Sequence, residues 1–185
     1  MKTLALFAAL TLSAGFAAAA HATAWRVLPG STLGFAGSFQ GAGFSGRFKR
    51  YTAVIAWDPA HPQACHFDVE VDLASADTAN SQRDQLLPGA DFFDVAKFPQ
   101  ARFVASGCKA VAGGALTSAG TLNLRGISRP VALTLHFAPQ GKDEVLTVTA
   151  NLDRLVFGIG SGEWADPSTI GRVVTVNARL LLAPQ

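Results

Sequence analysis

Gly41-Ala42-Gly43-Phe44-Ser45-Gly46 spells G-x-G-x-x-G, the spacing of a loop that cradles the pyrophosphate of a dinucleotide. That chemistry needs a strand before the glycines and a helix after them, because the helix N-terminus holds the anion. The next residues, RFKRYTAVIAW, alternate as a strand, so the glycines are assigned to a tight bend. Ser161 stands in GIGSGEW, where a nucleophile elbow would require glycine at 159 and 163; Ile159 and Glu163 occupy those positions. His61 lies in a Pro-flanked turn, and His66 and His136 lie on polar strand faces. All three read as surface residues rather than general bases. Asp91 and Asp94 are paired carboxylates, and a helix N-terminus accounts for them without catalysis. Asp77, Arg83 and Asp84 are expected to form an ion-paired cluster that pins a helical plug, and Arg47, Lys49 and Arg50 a solvated strand edge. No catalytic residue, metal ligand set or cofactor site is assigned.

Two cysteines, Cys65 and Cys108, lie beyond the N-terminal segment. There is no Cys-x-x-Cys, and His61 and His66 give no recognised ligand spacing, so a redox or metal pair is the weaker option. An even count in an oxidising compartment favours a disulfide closing a long loop. The first residues indicate the compartment. Lys2 precedes an almost wholly apolar run over residues 4–20, and Ala22-Thr23-Ala24 supplies small residues before Trp25. This pattern predicts a secretory signal peptide, residues 1–24, cleaved after Ala24, and a periplasmic location. One domain, residues 25–185, remains. Losing Lys2 lowers the formal charge from +2 to about +1. A near-neutral surface of mixed sign excludes nucleic acid as a partner, which needs a clustered positive field.

The elements that must position any site are strands. Period-two alternation dominates. Leu33, Phe35, Gly37 and Phe39 share one face, and Phe44, Gly46 and Phe48 another; parity then slips before Ile55 and Trp57, which predicts a bulge or bend in a long strand. Phe67, Val69, Val71 and Leu73 alternate with His66, Asp68, Glu70 and Asp72. Residues 76–103 interrupt the strands. Asp77 or Thr78 is expected to cap a short helix over residues 79–87 ended by Pro88-Gly89, and Asp91 one further turn through Phe92, Phe93 and Val95. Strands resume over 102–106, 116–124, 131–137, 145–152 and 173–182, with turns at 113–114, 125–130 and 139–142. The late segment 157–171 is a Gly-rich loop carrying Phe157, Ile159 and Trp164. The fold class expected is all-β: an eight-stranded antiparallel barrel with a short helical insertion, whose interior is filled by side chains or holds one small ligand.

Eleven of the thirteen phenylalanines lie beyond the leader. Gly34, Gly37, Gly43 and Gly46 share strands with four of them, and are expected to leave room beside the rings. The inner-face candidates are Phe35, Phe39, Phe44, Phe48, Phe67, Val69, Val71, Phe92, Phe93, Phe103, Leu122, Leu124, Leu133 and Leu135, with Phe157 and Trp164 from the late loop.

LGFAGSF at 33–39, VDLASADT at 71–78, RDQLLPGADFFDVAKFPQARF at 83–103, GTLNLRGISRPVALTLHF at 120–137 and RLVFGIGSGEW at 154–164 together resemble the YceI-like family of periplasmic polyisoprenoid-binding proteins, with the motifs in order along the chain. The resemblance implies a lipocalin-like barrel enclosing a long isoprenoid, a polyprenyl or quinone-type lipid, without catalysis. It places the head group at a barrel mouth gated by residues 76–103 or 157–171. FGIGSGEW is similar to the branch of the family linked with membrane b-type cytochromes, which adds such a cytochrome to the partners; a homodimer is the oligomer considered. A structural or stress-related protein with a filled core is the non-binding alternative.

Overall fold

The structure is a computed structural model that describes residues 22–185. The expected leader therefore lies outside the described residues up to residue 21. Its last two residues open the first strand. In chain order the elements are β1 (Thr23–Val27), β2 (Thr32–Phe39), β3 (Ala42–Phe48), β4 (Tyr51–Trp57), β5 (His66–Asp72), β6 (Ala76–Asp77), α1 (Ser81–Leu86), β7 (Gln100–Ser106), β8 (Lys109–Ala110), β9 (Leu116–Leu124), β10 (Ile127–Gln140), β11 (Asp143–Asp153) and β12 (Val173–Pro184).

Neighbouring strands pair antiparallel in the order β1-β4-β5-β7-β9-β10-β11-β12, and β12 pairs back onto β1, closing a ring of eight. The remaining strands extend that ring. β2 continues β1 and pairs with β12; β3 precedes β4 and pairs with β2; β6 continues β5 and pairs with β3. Three long strands are thus each broken once and the two-residue β8 pairs with β9 off the ring, which reconciles twelve short strands with an eight-stranded barrel. Closure leaves no edge along most of the wall. β12 meets β1 only from Trp25 onward, through Trp25↔Pro184, Arg26↔Ala183 and Val27↔Leu182.

The parity slip after Phe48 is one of these breaks. Phe44 and Phe48 face inward from β3, then Tyr51, Ala53 and Ile55 from β4, so Lys49-Arg50 advances the inward set by one residue. Ser75, almost fully buried, holds the kink. Its carbonyl accepts from Lys49 N–H (3.1 Å), its hydroxyl from Arg50 N–H (3.0 Å), and that hydroxyl donates to the Asp72 carbonyl (2.6 Å). At the β2–β3 hairpin, Gln40 and Gly41 have φ of 48° and 77°, the two left-handed residues of a tight turn. The G-x-G-x-x-G run is this hairpin and enters β3, not a helix.

Several sequence expectations are corrected. α1 starts later than expected and is capped by Asn80, whose side chain accepts from Arg83 N–H (3.0 Å). Ala79 has a left-handed φ of 54°, so the chain turns once more before the helix begins. Thr78 instead donates its N–H and hydroxyl to Asp84 Oδ1 (2.9 and 2.7 Å). Asp91 caps no helix; residues 89–98 are hydrogen-bonded turns, and the Asp91 carbonyl accepts from Gly160 and Ser161 N–H (2.7 and 3.0 Å). The Asp77, Arg83 and Asp84 cluster is divided: Asp77 pairs with Arg47 and Lys49, Arg83 lies 4.3 Å over the Phe44 ring, and Asp84 takes Thr78. The turn expected over 125–130 is only Arg125-Gly126; Arg129 and Pro130 already pair with Leu122 and Thr121.

Candidate functional site

Inside the ring lies a cavity of about 230 Å³. On β11 it is lined by Leu146, Val148, Ala150 and Leu152, six residue steps or about 20 Å of strand. β12 adds Val174, Val176, Ala178 and Leu180, and β9 and β10 add Leu122, Leu124, Val131 and Leu133. Phe67, Val69 and Val71 come from β5, Phe103 from β7, and Phe35, Phe44 and Phe48 from β2 and β3. The wall is carbon except at Arg154.

One end is solid. Trp57 stacks on Phe137, with centroids 4.2 Å apart and planes 7° from parallel, and Trp25 Nε1 donates to the Trp57 carbonyl (3.0 Å). Cys65 and Cys108 are bonded beside them, buried, with Cα atoms 5.8 Å apart across a sequence separation of 43. Ile55, Phe67, Leu135, Leu146 and Leu182 complete this floor cluster.

The other end is roofed by two segments. Residues 87–98 bring Leu87, Phe92 and Phe93 over the cavity, and residues 157–170 bring Phe157, Ile159 and Ile170. Phe48 joins wall to roof, 5.1 Å from Phe35 and 6.2 Å from Phe93 by ring centroid. Two arginines fasten the roof. Arg125 donates to the carbonyls of Ala90 and Gly158, one in each segment. Arg154, 3% exposed, donates Nε to Gly171 (3.1 Å), Nη1 to Ile159 and Gly160 (2.8 and 3.0 Å), and Nη2 to Trp164 and Ile170 (2.9 and 2.7 Å). All five guanidinium N–H groups are thereby used on backbone carbonyls. Desolvation pulls the Arg154 pKa below its ordinary value, with the Asp153 charge opposing.

Most of the inner-face set therefore lines one space. Three members do not. Phe39 is 38% exposed at the end of β2, where it bridges to Ile170. Leu135 is buried in the floor, below the cavity. Trp164 packs on Phe92, 5.8 Å between centroids, outside the lining. The glycines do not make the room. A Cβ on Gly46 would stand 2.5 Å from the Phe35 ring, and one on Gly37 3.0 Å from the Phe44 ring; Gly34 and Gly43 face outward. The inward glycines let rings lie against the wall, and the hollow comes from the aliphatic faces of β11 and β12. Those two faces were missing from the inner set, as were Tyr51, Ala53 and Arg154. The alternation of Leu146, Val148, Ala150 and Leu152 with Thr147, Thr149 and Asn151 is the signal that would have found the first of them.

The polar candidates are dispersed. His61 pairs with Asp58 (2.8 Å) and His66 with Ser106 (2.9 Å), both at the surface. Ser161 Oγ reaches only the Asp91 carbonyl, at 3.5 Å. Among the described residues no three His, Cys, Asp or Glu side chains are grouped to hold a metal ion.

The YceI-like domain profile matches residues 25–182, nearly the whole described chain. The chain belongs to the YceI-like family. Among curated proteins it is 35% identical over 144 residues to a UPF0312 protein of Pseudomonas savastanoi pv. phaseolicola, covering 77% of this chain and 74% of that one. Among solved structures it resembles BcnA of Burkholderia cenocepacia, at a TM-score of 0.78 and 26% identity over 82% of this chain and 95% of that one. A polyisoprenoid-binding domain from Saccharophagus degradans, implicated in plant cell wall breakdown, shares the fold at a TM-score of 0.66 and 15% identity, covering 90% and 100% of the two chains. This YceI-like barrel is thus the common frame, and its cavity lining is this chain's own.

Proposed function

We propose that the protein binds a long-chain isoprenoid lipid, of polyprenyl or quinone type, in the barrel cavity and carries it in the periplasm without altering it. The observation that supports this most is the wall itself: a closed antiparallel ring around a hollow lined by carbon, with a solid floor. Burying apolar surface is worth about 0.8 kcal/mol per methylene, so each five-carbon unit gains a few kcal/mol gross and a long tail does not cross water unaided. Branched and aromatic walls suit a methyl-branched chain by dispersion. Family membership and a fold shared with a polyisoprenoid-binding domain point the same way. A filled core, as a purely structural role would have, does not fit the hollow. With a quinone as ligand, the recipient is a membrane b-type cytochrome and the protein is carrier rather than redox centre.

The test is mass spectrometry of an organic extract of the purified full chain. A long-chain isoprenoid at near-stoichiometric amount is expected. Ultraviolet spectra before and after borohydride then separate a quinone from a redox-silent prenol. Protein that carries no lipid and takes up none from isoprenoid-loaded vesicles overturns the proposal.

A further inference from the structure

The ladder that closes the barrel has a gap. β1 meets β4 from Thr23↔Trp57 to Trp25↔Ile55, and β2 meets β3 from Gly34↔Arg47 to Phe39↔Ala42. Between these registers, residues 26–32 and 49–54 are not paired with each other in the ladder. Several of their N–H groups are bonded elsewhere. Leu28 N–H donates to the Leu181 carbonyl (2.8 Å), and the Lys49 and Arg50 N–H groups go to Ser75 (3.1 and 3.0 Å). These bonds hold both sides of the opening in place.

A cleft of about 480 Å³ fills this gap from outside. Tyr51 and Ala53 line it, and the same two residues line the inner cavity. They are the partition between the two spaces. Beyond the partition the chemistry changes from carbon to hydrogen-bond donors: Arg26, Thr52 and the Tyr51 hydroxyl. Arg26 has no ion-pair partner among the described residues, whereas Lys49, on the same rim, is held by Asp77 at 2.9 Å. Burial pushes the Tyr51 hydroxyl above its usual pKa, which keeps its proton available to donate.

An amphiphilic lipid in this barrel has to put its polar end somewhere. The cavity wall leaves it no partner, because the guanidinium of Arg154 is already spent on carbonyls, and an unpartnered polar group out of water is costly. The roof is bonded shut by Arg125 and Arg154. We infer that the gap between β1–β2 and β3–β4 is the head-group site and doorway of the lipid, the tail passing over Tyr51 and Ala53 into the cavity and an oxygen acceptor on the head taking hydrogen bonds from Arg26, Tyr51 and Thr52 outside. This rests on the lipid-carrier function proposed above and replaces the roof as the place of access.

A geranylgeraniol carrying a diazirine at its oxygen end, loaded into the full chain and photolysed, locates that end by peptide mass spectrometry. Labels on peptides spanning residues 26–31 and 49–53 are expected. Labels confined to residues 87–98 or 157–171 overturn the doorway and leave the carrier function standing, while a wild-type chain that retains no probe at all sinks both. Transfer of bound geranylgeraniol to phosphatidylcholine vesicles supplies a second readout. Ala53→Trp, which thickens the partition, slows transfer at least tenfold, and Val54→Trp, on the exposed outer face of the same strand, stays within twofold of wild type. An unchanged rate in a folded Ala53→Trp chain overturns the doorway.

Discussion

Arg154 brings a full charge to a wall made otherwise of hydrocarbon, and survives there because five carbonyl oxygens converge on its fork. Lysine keeps the charge but carries its three donors on a single nitrogen, so it cannot serve all five carbonyls around the loop. Arg154→Lys is expected to cost about 2–3 kcal/mol, since several buried acceptors lose their donor, with hydrogen exchange of amides 157–171 accelerating before the barrel amides. Equal protection in both regions would mean the loop holds itself. Phe48 has the opposite character: its ring bridges Phe35 and Phe93 without a polar contact. Phe48→Asp sets a carboxylate in that bridge and is expected to abolish retention of co-purified lipid, whereas Phe48→Leu keeps it; extraction and mass spectrometry of both variants decide. Arg154 stands in RLVFGIGSGEW, yet nothing in that string says which atoms its fork will meet, because its acceptors are backbone carbonyls spread from Ile159 to Gly171. Sequence spacing records side chains, and this site is built from main chain.

At the scale of elements, the strands were legible where one face is wet. β5 alternates acids with Phe67, Val69 and Val71, and the parity slip after Phe48 marked a real kink. β12 was legible as a strand, but its inward face mixes Val174, Val176 and Ala178, too plain to stand out beside phenylalanines. The helical insertion was placed to within two residues at its start, and its cap was not, since Asp77 and Thr78 serve the barrel wall and the helix side chain instead. The disulfide ties the turn before β5 to the connection after β7, closing a loop that contains α1 and both neighbouring strands. In the chain-entropy description a loop of this length is worth about 4 kcal/mol. Cys65→Ser with Cys108→Ser is expected to lower the urea midpoint accordingly while leaving the lipid in place, because neither sulfur lines the cavity. Loss of lipid in a folded double variant would show that the floor is part of the binding surface.

For the whole molecule, the exterior sets the response to acid. The Asp77 carboxyl is held down to about 2 by Lys49, the Ala79 amide and Arg47. Asp58, Asp68, Asp153 and Asp166 are also held below the usual range, by His61, Arg102, Arg172 and Ser168 respectively. Carboxyls with depressed folded values contribute stability that is complete above their unfolded pKa of about 4 and disappears as pH falls through the folded one. Urea midpoints are expected to be level from neutrality down to about pH 4 and to drop steeply toward pH 2, with a shallower drop in Asp77→Asn. A midpoint that already falls between pH 7 and 5 would point to other groups. The stacked pair of Trp57 and Phe137 has a different consequence at this scale. A shaft closed at both ends is a gauge: each isoprene unit added to a short guest finds fresh wall until the space is full, and every unit after that must hang outside in water. Affinity across a series of prenols should therefore climb with length and then stop climbing, and the length at which it stops is the depth of the well.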